Sequence, residues 1–205
     1  MNASKYQKHW SELLSIELPG LEAQQLMAPE FRGENDFMGD PIRAAVLALM
    51  YPVEEQVHLV FMKRNAYDGP HSAQVSFPGG AWEPEDGSLD NTALRETREE
   101  LGITAEIALL GSLTELYIPV SNFLVTPFVG WTGIVPDYDP DPSEVQYVIE
   151  TTLEELLDPA NRDTETMYRH GQNITAPFFR VGDEKIWGAT AMMLSEFLQL
   201  AARLP

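Results

Sequence analysis

A layered α+β fold, an α/β/α sandwich, is what this 205-residue sequence predicts, on three observations. Two apolar runs of strand character lie close together in the first third of the chain. Strands and helices then mix without the regular β-α-β alternation of a parallel sheet. Helical periodicity marks the beginning, the middle and the end. At roughly 150 residues per domain, the length fits one domain with a terminal extension. We read residues 1–30 as a helical extension and 31–205 as the main domain.

The extension comes first. Residues 5 to 17 carry Trp10, Leu13 and Leu14 at helical spacing, and Pro19-Gly20 ends the run. Leu21 to Met27 adds a short second helix, and the two pack on the main domain. The strand candidates are Arg43 to Tyr51 (RAAVLALMY) and Gln56 to Arg64 (QVHLVFMKR), joined by the turn Pro52 to Glu55 into a hairpin. After a loop, Asn65 to Pro70, comes a short strand, Ala73 to Phe77, which Pro78-Gly79-Gly80 breaks. A helix follows the polar stretch Asp86 to Asp90. Ile107 to Tyr117 and Phe123 to Ile134 read as strands, and Pro136 to Ser143 (PDYDPDPS) as an acidic surface loop. Glu144 to Glu150 reads as a strand, Thr152 to Leu157 as a short helix, and Met167 to Arg169 and Phe178 to Val181 as short strands. Ala189 to Leu204 is an amphipathic closing helix.

Composition narrows the function. Thirteen Lys and Arg against 32 Asp and Glu give a net charge of −19, which repels nucleic-acid phosphates. A phosphate-bearing ligand would need a cation to screen it. The absence of cysteine excludes disulfides, iron–sulfur sites and thiol nucleophiles. The N-terminus has no apolar stretch behind a basic start, and the longest apolar run, Ala44 to Tyr51, is too short to span a bilayer. We therefore expect a cytoplasmic protein without a membrane partner. The N-terminal arm is a candidate homodimer surface.

The informative helix runs from Thr92 to Leu101, with Asp90 expected to cap it and Gly102 to end it in a left-handed conformation. Leu94, Thr97 and Leu101 make the core face. Glu96, Glu99 and Glu100, at i, i+3 and i+4, share another. Three neighbouring carboxylates repel, and they sit in the half of the helix where the dipole disfavours anions. Arg95, four residues from Glu99, offsets part of this. A solvated acidic face and a hard divalent cation both account for such a cluster.

Context separates the two. The run Arg95-Glu96-Thr97-Arg98-Glu99-Glu100-Leu101-Gly102-Ile103, behind the turn Phe77-Pro78-Gly79-Gly80, resembles the second half of the Nudix box. The first half is one residue longer than that pattern. Counting from Gly80 puts its acid at Asp86, whereas counting back from Arg95 puts it at Gly87. Met62-Lys63-Arg64 through His71-Ser72-Ala73-Gln74-Val75-Ser76-Phe77-Pro78-Gly79-Gly80 further resembles the upstream motif of the coenzyme A pyrophosphatases. Ala73 stands where that group has glycine. The segments from Leu116 to Phe123 and from Ile186 to Thr190 are similar to the same group.

The resemblance implies a Nudix-like mixed sheet between helices and hydrolysis of a phosphoanhydride in a nucleoside diphosphate linked to another group. It implies Mg²⁺ or Mn²⁺ held by Glu96, Glu99 and Glu100, with Glu99 and Glu100 also catalytic. Arg95 and Gly102 give structural support. Arg64, His71, Gly79 and Gly80 are the substrate-binding candidates. The general base is Glu144 or Glu99, and an exposed loop acid is an equal reading of Glu144. Coenzyme A or acyl-coenzyme A is the first substrate reading, and ADP-ribose or another nucleotide sugar the second. A non-catalytic nucleotide-sensing module ranks last, because all three helical glutamates are present. His9, His58 and His170 read as structural or surface residues.

Overall fold

The computed structural model describes residues 3–30, 39–69, 71–169 and 172–204. His170 and Pro70 lie outside them. The chain runs α1 (Ala3–Leu14), α2 (Gly20–Gln25), β1 (Ile42–Val53), β2 (Gln56–Arg64), β3 (Val75–Ser76), β4 (Gly79–Ala81) and α3 (Leu89–Leu101). It continues with β5 (Ala108–Ser112), β6 (Leu116–Ile118), β7 (Phe123–Trp131), β8 (Val145–Thr152) and α4 (Leu153–Leu157). It closes with β9 (Arg162–Arg169), β10 (Gln172–Val181), β11 (Glu184–Trp187) and α5 (Gly188–Ala201).

The central strand is β1. It pairs in parallel with β7 from Ile42↔Phe123 to Met50↔Trp131, and antiparallel with β2 from Met50↔Leu59 to Val53↔Gln56. Because both its faces are covered, its sequence is apolar throughout instead of alternating. Ala45, Leu47, Leu49 and Tyr51 join Val60, Met62, Ala93 and Leu101 on the α3 face. Ala44, Ala48 and Met50 join Leu59, Phe61 and Phe197 on the α5 face. A mixed sheet between two helical layers results, as expected.

Away from the hairpin turn, β1 and β2 part like a fork. Into the opening come β3, paired with β2 at Met62 and Lys63, and β4, paired with β1 from Ala44 to Val46. The second tine corrects the sequence reading, in which Gly79-Gly80 only breaks the chain: the two glycines are ladder residues. The outer edge of β2 is covered by β8, and that of β7 by β5 and β6. These last two correct the single strand expected over Ile107 to Tyr117. A separate antiparallel sheet holds β9, β10 and β11. The sequence reading contains no β11, a four-residue strand that begins with two charges.

The N-terminal helices are part of the α5 layer. Trp10 is fully buried and stacks on Phe197 with ring centroids 4.6 Å apart. The apolar side of α1 is thus used within its own chain. Glu196, also fully buried, accepts hydrogen bonds from Gly20 N (3.1 Å), Gln24 Nε2 (2.8 Å) and Thr114 Oγ1 (2.7 Å). Its carboxylate is therefore satisfied from two separate stretches of chain, α2 and the segment at Thr114.

Candidate active site

The site forms where α3 lies across β4. Gly79 is beneath Glu100 and Gly80 is beneath Glu96. A Cβ on Gly80 would meet Glu96 Cδ and Oε1 at 2.5 Å, so only glycine leaves room for this carboxylate. A Cβ on Gly79, where φ is 149°, would strike the backbone of Ala45 and Val46 instead. The first glycine is thus required by the sheet and the second by the site.

Glu100 is 2% exposed. Its Oε2 accepts from Gly79 N at 2.7 Å and its Oε1 from Arg64 Nη1 at 3.2 Å. Burial pushes its carboxyl up to about 8, against the pull of Arg64 and the Gly79 amide and with a further push from Glu96 and Glu144. Glu96 is also raised, first by burial. Glu99 is in solvent, its side chain 61% exposed.

Arg95 ties the acids together. Its Nη1 is 2.9 Å from Glu96 Oε1 and 2.8 Å from Glu99 Oε2. Its Nε and Nη2 donate to Asp86 at 2.6 and 3.1 Å, and Nη2 also donates to Ala81 O at 3.2 Å. Asp86 additionally accepts from Thr92 Oγ1 and Glu83 N. Its carboxyl is held below the ordinary range, chiefly by Arg95. The forward count from Gly80 is therefore the one the fold realises, with Asp86 as a clamp on Arg95. Sequence reasoning left this residue without a role. The expected cap is corrected too: Ser88 occupies the N-cap position of α3, and Asp90 lies in its first turn.

Gly102 ends α3 with φ of 66°, and a Cβ there would strike Asp139 O. The acidic loop docks on this helix end, with Asp139 N donating to Leu101 O and Asp141 N to Glu100 O, both at 3.0 Å. The docking carries Glu144 to a cleft of about 580 Å³, lined by Arg64, Asn65, Tyr67, Ser143, Glu144 and Gln146. His71, also at positive φ, bridges Gln74 Oε1 (3.4 Å) and Ser121 Oγ (3.1 Å). Burial lowers its pKa, so the ring is neutral near pH 7. Its ring nitrogens thus face protein partners. Ala73, in the same loop, has φ of 55°. This left-handed backbone is the physical reason a glycine suits that position.

Hard oxygen donors crowded by burial and mutual repulsion have the chemistry of a divalent-cation site. Among the described residues no three acidic or histidine side chains converge into a closed cage. The glutamates are instead turned onto Arg64 and Arg95. The donor set, carboxylate oxygens on one helix face, fits such an ion in its chemistry.

A forked mixed sheet with an arginine-clamped row of glutamates laid over paired glycines defines a hydrolase of phosphate anhydrides. The chain belongs to the NUDIX family: the NUDIX domain matches residues 41–171, and the protein is a Nudix pyrophosphohydrolase. It is 36% identical over 166 residues to the human mitochondrial coenzyme A diphosphatase NUDT8, covering 79% of this chain and 70% of that one. It is 32% identical over 163 residues to NudL of Photorhabdus laumondii, described as an uncharacterized Nudix hydrolase, covering 79% and 87%. The fold is similar to a MutT/nudix family protein from Enterococcus faecalis, with a TM-score of 0.54, 15% identity, and 98% and 75% of the two chains covered. Nudix hydrolases generally need divalent metal ions and act on small nucleotide substrates. Among the described residues no helix is long and apolar enough to cross a membrane.

Proposed function

We propose that the chain hydrolyses the diphosphate of coenzyme A or acyl-coenzyme A, giving 3′,5′-ADP and 4′-phosphopantetheine, with Mg²⁺ or Mn²⁺ as cofactor. The observation that carries this reading is the bond from Arg64 to Glu100. It joins the segment resembling the coenzyme A group's upstream motif, whose Arg64 lines the cleft, to the helix of the Nudix box. The similarity to a human coenzyme A diphosphatase supports it.

Glu96, Glu99 and Glu100 hold the ion. When bound, it neutralises diphosphate oxygens and lowers the pKa of a nearby water. Arg95, fixed by Asp86, sets the spread of Glu96 and Glu99. Gly79 and Gly80 let α3 lie close on β4, so that Glu100 and Glu96 rest directly on the main chain. Glu144, at the cleft, takes the proton of the attacking water. The water oxygen bonds to phosphorus as the bridging P–O bond breaks, and the departing phosphate carries away the electron pair. Arg64 faces the same cleft and offers the substrate a fixed positive charge.

A panel of coenzyme A, acetyl-coenzyme A, ADP-ribose and a dinucleoside polyphosphate, each with Mg²⁺, with Mn²⁺ and with chelator, tests the reading. We expect 3′,5′-ADP and the phosphopantetheine product from the first two, dependent on the metal. Preferred turnover of ADP-ribose would replace the substrate assignment with the nucleotide-sugar one.

A further inference from the structure

We propose that Asp141 is a positioning residue for catalysis: it ties the main chain of Glu100 to that of Glu144 and so fixes the general base relative to the metal-holding helix. The inference rests on the proposed role of Glu144.

Five bonds meet at this residue. Asp141 N donates to Glu100 O at 3.0 Å. Asp141 O accepts from Glu144 N at 3.1 Å and from Val145 N at 2.8 Å. Its side-chain Oδ1 accepts from Ser143 N at 2.8 Å and from Ser143 Oγ at 2.7 Å, closing the turn that delivers Glu144. A single residue thus spans from one glutamate's carbonyl to the other's amide. On the far side, Asn65 N donates to Glu144 O at 2.9 Å, and Asn65 Nδ2 donates to Pro142 O at 2.9 Å. The residue that follows Arg64 at the end of β2 therefore grips the same turn from the other wall of the cleft.

The side chain matters because the turn has no hydrophobic anchor of its own. Pro142, Ser143 and Glu144 are exposed. Without the Asp141 carboxylate, the 141–144 turn keeps its main-chain contacts but loses the two bonds that set its curvature. Misplacing a reacting group by about 1 Å costs roughly 10²-fold in rate.

The test uses the full chain and four variants: Asp141→Ala, Asp141→Asn, Glu144→Gln, and the double variant Asp141→Ala/Glu144→Gln. Steady-state kinetics on coenzyme A would be paired with thermal melts. Asp141→Ala should lower kcat by about 10- to 100-fold with KM within twofold. Asp141→Asn, whose Oδ1 accepts the same two bonds, should restore kcat to within a few-fold of wild type. The double variant should be no slower than Glu144→Gln alone, since both changes act on one step. Multiplicative losses in the double variant, or an equal loss in Asp141→Asn, would overturn the inference. So would near-wild-type kcat in Asp141→Ala beside an impaired Glu144→Gln. Full activity in Glu144→Gln would instead remove the base assignment itself. If Asp141→Ala melts far below wild type, the Asn variant and a Ser143→Ala variant decide by the same kcat and KM criteria.

Discussion

Arg95 meets Asp86 through two roughly parallel hydrogen bonds, 2.6 Å from Nε and 3.1 Å from Nη2, and this pair sets where the guanidinium reaches Glu96 and Glu99. Asp86→Ala leaves Arg95 charged and partly buried without its principal partner. We expect kcat to fall at least 10-fold and the melting temperature to drop by several degrees. Asp86→Glu, one methylene too long for the pocket beside Thr92, should recover stability better than activity. Kinetics and thermal melts on the two variants check this.

The two glycines of β4 should separate by phenotype. Gly80→Ala places a methyl against the Glu96 carboxylate, an end that can swing away, so the fold survives while activity falls. Gly79→Ala drives a methyl into the backbone of β1 and should yield little soluble protein. Circular dichroism and turnover, measured together, distinguish them. Equal loss of folding in both would contradict the division of roles.

Ala73 holds a left-handed backbone at φ of 55°. That conformation costs a non-glycine residue about 1–2 kcal/mol, while glycine adds roughly 0.4–1 kcal/mol of unfolded-chain entropy. Ala73→Gly should therefore stabilise by about 0.5–1 kcal/mol, readable as a melting-temperature rise of roughly 1–4 °C.

Glu100 gives the metal-free protein a pH signature. Its folded carboxyl titrates near 8 against an ordinary value of 4.5. The folded state thus keeps a proton that the unfolded chain releases. The stability this contributes is complete below about 4.5 and is lost as pH rises through about 8. Glu100→Gln cannot titrate. Its melting temperature should therefore gain on wild type steadily between pH 5 and 9 in the presence of chelator. Added Mg²⁺ should reverse the order at high pH while the variant remains inactive.

The sequence shows most where burial writes a simple pattern. The runs in β1 and β2 are legible because both strands are covered on two faces, and α3 because its leucines and its terminal glycine agree. What stays hidden depends on partners far along the chain. Gly79-Gly80 resembles a break, since nothing local says that β1 will pair with it and that a carboxylate will rest on it. Asp86 resembles a misplaced box acid until Arg95 folds back over it. The link from Asp141 to Glu100 runs through main-chain atoms, which carry no residue-type signal. His71 stands beside the glycines in sequence, yet its ring turns toward Ser121, 50 residues on.

The buried Glu196 has a practical corollary for anyone cutting the gene. The stretch matched by the family, residues 41–171, omits both that side chain's helix and α2, which supplies two of its donors. A trimmed product would leave one wall of β1 and β2 greasy and wet. A version keeping α5 but starting after α2 would leave that anion its Thr114 bonds and remove those from Gly20 and Gln24. Expression plasmids should retain α1, α2 and α5, and a purification tag ahead of α1 needs a spacer long enough to clear Trp10.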